Sequence, residues 1–381
     1  MSSARSPRIA YVQMALSKLV GIDGAYAGQA RAAMKLGLPL EYLALNPDRE
    51  GLDGGIRFIR NPVSSMASVA RLERQLFKYR LMTRGHVLDG YDVLVVRYLT
   101  AIDLDPLALF RRTRAPIVTV HHAKESFEVM SAGQSIGNFV RAGLETLNSP
   151  RILSRAHGIV GVTHEIRDWE LAKLKTRKPA MTVSNGVSVD KVSFTPAVRP
   201  GKDRVEIMFV ASSHSPWHGT DRLLAGCEQY RGRENILLHM VGNVSKAARP
   251  ISTRNVEVVW HGERRGAELD TIFRRCSVAV SSLGMHRSHL REGAVLKTRD
   301  YIARGMPFAY AYEDVDVPDD AEFAVRLPAD ETPIDLDRVV ELARRAGEDP
   351  ELPTRMRAFA ERHLDWTHKV RQLYDFAASV A

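Results

Sequence analysis

The stretch Arg291-Glu292-Gly293-Ala294-Val295-Leu296-Lys297-Thr298-Arg299-Asp300-Tyr301-Ile302-Ala303-Arg304-Gly305-Met306-Pro307 contains a loop, a helix and a stop. A short polar loop with a glycine leads into a helix predicted over residues 295–304. Gly305 and Pro307 end it, because neither residue continues a helix well. The backbone N–H groups at a helix start have no intrahelical partner and can receive a phosphate. Glu292 lies in the loop just before, and Asp300 lies about two turns on. Both acids can therefore face one long ligand. Lys297, one turn in, adds a point charge suited to a diphosphate. A plain surface helix with a solvated charge pattern is the competing reading, and these residues alone leave both open.

On either side of this stretch, apolar runs alternate with helical patterns along nearly all 381 residues. This is the mark of α/β architecture with parallel sheets. Strands are predicted at 9–14, 40–45, 56–59, 93–96, 117–120, 158–162 and 181–183. Gly21, Gly24 and Gly28 lead into a helix expected over 27–35. Pro196 to Arg204 is rich in proline and charge and breaks the series. Beyond it, strands are predicted at 206–210, 237–241, 256–260 and 277–281. Helices are expected at 220–230, 268–275, 295–304 and 335–347, with amphipathic helices over 352–378. The fold class expected is α/β, with two doubly wound Rossmann-like domains facing across a cleft. Ligands of such sheets gather at the carboxyl ends of the strands. The expected boundaries are 1–195, 196–355 and a final helical segment, 356–381, that crosses back to the first domain.

The composition is that of an ordinary globular protein. No run approaches the roughly 20 apolar residues that span a bilayer. The N-terminal segment lacks the apolar core of a secretory signal. Cys227 and Cys276 sit in apolar contexts and read as buried free thiols of a cytoplasmic protein. The net charge is +9. Residues 1–190 hold 26 Lys and Arg against 17 Asp and Glu, whereas 191–381 hold 28 of each. Arg71, Arg74, Lys78, Arg80 and Arg84 are interleaved with Leu72, Leu76, Phe77, Leu81 and Met82. They read either as a surface helix packed on its own domain or as a basic face resting on anionic lipid. No nucleic-acid recognition motif is present, so nucleic acid is not expected as a partner. Neither a Walker sequence nor Gly-x-Gly-x-x-Gly follows the first strand, which disfavours ATP and NAD. The histidines show no metal-ligand spacing, and no metal or other cofactor is expected. Asp314-Val315-Asp316 reads as a solvated loop.

The 291–307 stretch resembles glycosyltransferase family 4 and its relatives, retaining enzymes of the GT-B fold. These carry two acids with seven residues between them and a Gly-x-Pro ending. One subgroup has the form Leu-Lys-x-Arg-Glu-Tyr-x-Ala-x-Gly-x-Pro, matched by residues 296–307 with Asp300 in place of the second glutamate. The resemblance implies that Glu292 touches hydroxyls of the transferred sugar and that Asp300 accepts from the ribose. It also implies that the Gly293, Ala294, Val295, Leu296 and Lys297 segment receives the diphosphate.

Residues 209–224 look like the family's strand, glycine loop and helix, with His218 before Gly219 where many members have lysine. Ser213, His218 and Gly219 thereby join the donor site. So do Gly242 and His261, at the ends of later strands. Ser184-Asn185-Gly186-Val187 resembles the Asn-Gly-Val turn that ends the first domain. Val118-Thr119-Val120-His121-His122 resembles the family's strand ending in histidine, which implies that His121 approaches the reaction centre. Gly21-Ile22-Asp23-Gly24 resembles the first-domain loop, so Asp23 and Gly24 are expected near acceptor or phosphate. The implied substrates are a UDP- or GDP-sugar donor and a glycan or lipid-linked acceptor. An epimerase on the same fold and a non-catalytic sugar-nucleotide-binding subunit are the alternatives.

Overall fold

A computed structural model describes residues 5–14, 20–46, 49–60, 69, 73, 76–100, 102–131, 135–213, 215–243 and 253–381. The chain divides into two compact units, Met1–Ser184 with Trp366–Ala381, and Asn185–Asp365. Both boundaries fall about ten residues from the expected ones, after Ser184 rather than 195 and after Asp365 rather than 355. The reason is local bonding. Val187 N–H donates to Leu364 O at 2.9 Å and Val189 N–H to Asp365 Oδ2 at 3.1 Å. These bonds tie the segment after the Asn-Gly-Val turn to the segment before the last helix. The proline-rich 196–204 stretch is therefore interior to the second unit.

The first unit is an eight-stranded sheet. Its strands are β1 (Ile9–Met14), β2 (Leu40–Asn46), β3 (Gly51–Asp53), β4 (Ile56–Arg60), β5 (Val93–Arg97), β6 (Ile117–His121), β7 (Gly158–Gly161) and β8 (Ala180–Thr182). The order is β3-β4-β2-β1-β5-β6-β7-β8, and every pairing is parallel except β3 with β4. Short unbroken apolar runs such as Val93-Leu94-Val95-Val96 are buried because helices cover both faces of a parallel sheet. The last helix, Trp366–Ala378, packs on this unit through Val370, Leu373 and Ala377. Its Phe376 ring lies so close to Gly158 that a Cβ there would sit 3.0 Å from it.

Two expectations about this unit are corrected. The glycines at 21 and 24 do not form a loop; they lie in the first turns of the helix Val20–Lys35. Gly24 is exposed there, and the side chain of Asp23 lies outside the described residues. Of the basic segment, Arg71 and Arg74 lie outside the described residues. The described part forms only a four-residue helix, Lys78–Leu81. Lys78 is buried instead of displayed, and burial pushes its ammonium down to about 8. Arg80 is exposed, and Arg84 pairs with Glu73 at 3.1 Å. No described helix is long and apolar enough to cross a membrane.

The second unit holds β9 (Arg204–Ser213), β10 (Asn235–Asn243), β11 (Val256–Gly262), β12 (Val278–Val280), β13 (Glu292–Gly293), β14 (Phe308–Tyr310), β15 (Glu313–Asp314) and β16 (Ala324–Arg326). Six of them form one sheet in the order β11-β10-β9-β12-β14-β16, and β13 pairs with β15 separately. The six-stranded sheet is wholly parallel. In sequence order this is 3-2-1-4-5-6, the doubly wound pattern, and its order reverses between β9 and β12. The core lies between Val205, Ile207 and Phe209 of β9 and the helix Leu336–Glu348. Cys227 and Cys276 are buried free thiols. Gly242 sits at φ +129°, where a Cβ would fall 1.5 Å from Ala211 O, so only glycine lets β10 and β9 end side by side.

Candidate functional site

A loop leaves each of β9 and β12 at the point where the strand order reverses, and hydrogen bonds join the two loops. The loop after β9 makes a short 3-10 turn, Pro216–His218, and then Gly219, which starts the helix Thr220–Gln229. Gly219 adopts φ +65°, and a Cβ on it would meet Leu283 at 2.7 Å. Leu283 N–H donates to His218 O at 3.0 Å, and Gly284 N–H to Trp217 O at 3.1 Å. Ser213 ends β9, and its side chain lies outside the described residues.

The loop after β12 returns through β13, which carries Glu292, half-buried, and Gly293. A Cβ on Gly293 would come within 2.7 Å of the Tyr312 ring, so the glycine seats β13 against the aromatic. Ala294 and Val295 follow, and the helix Leu296–Arg304 begins one residue later than expected. Val295 caps it without a side-chain hydrogen bond, so the first-turn N–H groups of Leu296 and Lys297 stay available to an anion.

Lys297 projects from that first turn to His218, its Nζ 3.0 Å from Nδ1. The same ammonium lies 4.5 Å from the centre of the Phe209 ring. Among the described residues no carboxylate comes within ion-pair distance of it. Burial without such a partner pushes it down to about 7. The lysine and histidine of two separate loops thus form one nitrogen pair over the sheet end.

Asp300 stands one turn further on. Arg304 Nε donates to its Oδ2 at 2.8 Å, and Arg304 Nη1 donates to Asp270 Oδ1 at 2.6 Å. Burial raises the Asp300 carboxyl, with Arg304 opposing the shift. The shorter acid is therefore held by an arginine of its own helix, a contact the sequence reading did not include.

Arg299 points the other way and is fully buried. Its guanidinium pairs with Asp314 and Asp316, and its Nε donates to Asn185 O at 3.1 Å. Asn185 Nδ2 donates in turn to Ala294 O at 2.8 Å. This corrects the reading of Asp314 and Asp316 as solvated loop. They balance the arginine that anchors the site helix. Thr298 completes the anchoring, 2.6 Å from Tyr312 Oη and 2.9 Å from Ser281 Oγ.

His261 ends β11, but its ring is engaged. Nε2 lies 2.9 Å from His239 Nδ1, and His239 Nε2 lies 2.8 Å from Glu206 Oε2. Burial lowers both histidines.

His121 departs furthest from expectation. It ends β6 but is fully buried, stacked on Tyr98 with ring centres 4.3 Å apart. Thr119 Oγ1 lies 3.0 Å from its Nε2. Burial pushes its imidazolium down to about 4 and the Glu125 carboxyl beside it up to about 8. The ring is thus enclosed within the first unit rather than displayed at the strand end. His122, the next residue, keeps part of its surface.

Two doubly wound parallel units, the second with a phosphate-ready helix start at its switch point, define the GT-B fold class. Among solved structures the chain is similar to sucrose-phosphate synthase from Thermosynechococcus elongatus, at 15% identity and TM-score 0.66 over 96% of both chains. It is similar to a glycosyltransferase from Rickettsia africae at 12% identity and TM-score 0.64 over 99% of both chains. It is also similar to Anabaena HepE in complex with UDP and glucose, at 13% identity and TM-score 0.59, over 98% of this chain and 100% of that one. Identities this low establish the shared fold. No protein-family model matches the chain, and no curated protein matches it by sequence.

Proposed function

We propose that the protein is a glycosyltransferase that moves a sugar from a UDP- or GDP-sugar to a glycan or lipid-linked acceptor. The observation that carries this reading is the meeting of Lys297, His218 and the start of the Leu296–Arg304 helix where β9 and β12 part. Ligands of doubly wound sheets bind at such a switch point. The UDP and glucose complex of HepE supports the same ligand class.

In this reading the diphosphate lies on the N–H groups of Leu296 and Lys297. The bond from the anomeric carbon to the diphosphate breaks while an acceptor hydroxyl oxygen bonds to that carbon, and the hydroxyl proton passes to the leaving diphosphate oxygen. Lys297 and the helix start stabilise the charge that builds on the leaving diphosphate. A half-neutral lysine becomes fully charged when that anion arrives. Transfer therefore needs no metal of its own. Glu292 accepts from hydroxyls of the sugar. Asp300 accepts from the ribose through the oxygen that Arg304 does not hold. Anomeric configuration is retained, and the acceptor binds to the basic first unit. Synthesis of cell-surface polysaccharide or glycoconjugate at the inner face of a membrane fits that charge.

Nucleotide release from UDP- and GDP-sugars, with and without glycan and lipid-linked acceptors, tests the reading. Glu292→Ala is expected to lower turnover at least about 100-fold with the fold intact. Unchanged turnover would sink the site. A strict need for added Mg²⁺ or Mn²⁺ would sink metal-free transfer. An epimerised sugar formed from donor alone would replace transfer with epimerisation.

A further inference from the structure

Outside the donor site, the first unit closes a small set of acceptors around one point. His121 at the end of β6, Glu125 at the start of the helix Glu125–Ser131 and Glu170 in the helix His164–Ala172 come together there. They are 0%, 5% and 0% exposed. One ligand atom from each lies within 4.8 Å of the others. His121 Nδ1 is 3.8 Å from Glu125 Oε1 and 3.7 Å from Glu170 Oε2. Neither distance is a hydrogen bond. Among the described residues, His121 Nδ1 and Glu125 Oε2 are buried without any hydrogen-bond partner. Buried polar atoms are rarely left so, because each costs its full desolvation.

We infer that His121, Glu125 and Glu170 form a binding site for a small divalent transition cation of the zinc kind. Zinc bonds to nitrogen and oxygen of roughly 2.0–2.2 Å in a tetrahedron place ligand atoms about 3.3–3.6 Å apart. The two His121 separations exceed that by a few tenths of an ångström, and all three ligand atoms lie within 4.8 Å of one another, so side-chain rotations would draw them onto the ion. The surroundings match those of a metal ligand set. Thr119 Oγ1 holds the far nitrogen of the imidazole at 3.0 Å and fixes the ring, leaving Nδ1 toward the carboxylates. Lys173 Nζ lies 2.9 Å from both oxygens of Glu170, so with a cation on Oε2 it still holds Oε1. Such outer partners orient ligands in metal sites. Glu145 lies close by and accepts from Tyr98 Oη at 3.0 Å. The ligands come from a strand and two helices that follow it, so the ion would clamp both helices to β6.

The test uses untagged full-length protein with no nucleotide sugar present, so its outcome is independent of the transfer reading. Metal analysis after incubation with Zn²⁺ and dialysis is expected to find about one ion per chain. Co²⁺ in its place should give the visible absorption of a four-coordinate nitrogen–oxygen site. Chelation should lower Tm, and Zn²⁺ should restore it. Glu125→Gln and His121→Gln should each lose the ion. If either variant fails to fold, the Co²⁺ spectrum and the chelator-dependent Tm of the unaltered protein decide the matter. No bound ion and no shift in Tm with Zn²⁺, Co²⁺ or Mn²⁺ would overturn the site in favour of a trapped proton. So would a stoichiometric ion retained by Glu125→Gln.

Discussion

The two units handle buried charge in opposite ways. In the first, His121, Glu125 and Glu170 bring lone pairs together with too few protons between them. In the second, the Lys297 ammonium meets an imidazole and a phenyl ring, with no acid at ion-pair distance among the described residues. A low-dielectric interior tolerates neither surplus for free. A surplus of acceptors is relieved by a cation or a proton. A surplus ammonium is relieved by losing its proton or by receiving an anion. The second unit also shows the balanced case. Arg299 is buried more completely than Lys297, yet Asp314 and Asp316 hold it charged.

Three substitutions sharpen this contrast. The largest effect is expected where balance is broken. Arg299→Met leaves Asp314 buried without its partner and should cost about 3–5 kcal/mol in urea unfolding. A loss below about 1 kcal/mol would show that the triad is not what anchors the helix.

Removing the unbalanced lysine should do the reverse to stability while harming activity. Lys297→Met is expected to lower turnover about 100-fold, near 2.7 kcal/mol of transition-state stabilisation. Its stability should depend on pH in a definite direction. The folded-state value, about 7, lies below the unfolded lysine's 10.5. Folding therefore expels a proton between those values, and the wild type gains stability as pH rises through that window. The variant lacks this term. Its Tm advantage should be greatest below pH 7 and shrink toward pH 10.5, as thermal scans across pH would read. An advantage independent of pH would refute the burial account of Lys297.

The smallest effect concerns the rim of the acceptor cluster. Tyr98→Phe removes the phenol that donates to Glu145 and should cost about 1–2 kcal/mol in the same urea assay. Metal content should be unchanged, because Tyr98 donates to Glu145 and to none of the three ligands. Loss of the ion in this variant would extend the ligand shell beyond His121, Glu125 and Glu170.

Much of this protein is written in local sequence. Strand runs such as Val93–Val96 and Ile117–Val120 need burial on both faces, and only a helix-covered parallel sheet supplies it. Gly305 and Pro307 end the site helix by backbone geometry alone, so Glu292, Lys297 and Asp300 could be placed in order around its start. The glycines at 219 and 242 stood out in the sequence only through the family resemblance, and the structure supplies the reason for them, since a Cβ on either would strike a neighbouring strand or loop. The glycines at 21 and 24 misled, because glycine permits a loop without forbidding a helix.

What tertiary structure alone decided is which charges meet. Lys297 and His218 are 79 residues apart, Arg299 and Asn185 are 114 apart, and His121 reaches Glu170 across 49 positions. No short-range pattern encodes such meetings. They follow from the order of strands in the sheet, which determines whose loops emerge side by side. Sequence by itself determined the element types and the loop-and-helix segment that carries Glu292, Lys297 and Asp300. The fold determined that one histidine is sealed among carboxylates and that one lysine stands short of an acid, because burial and partners are properties of the packed sheet.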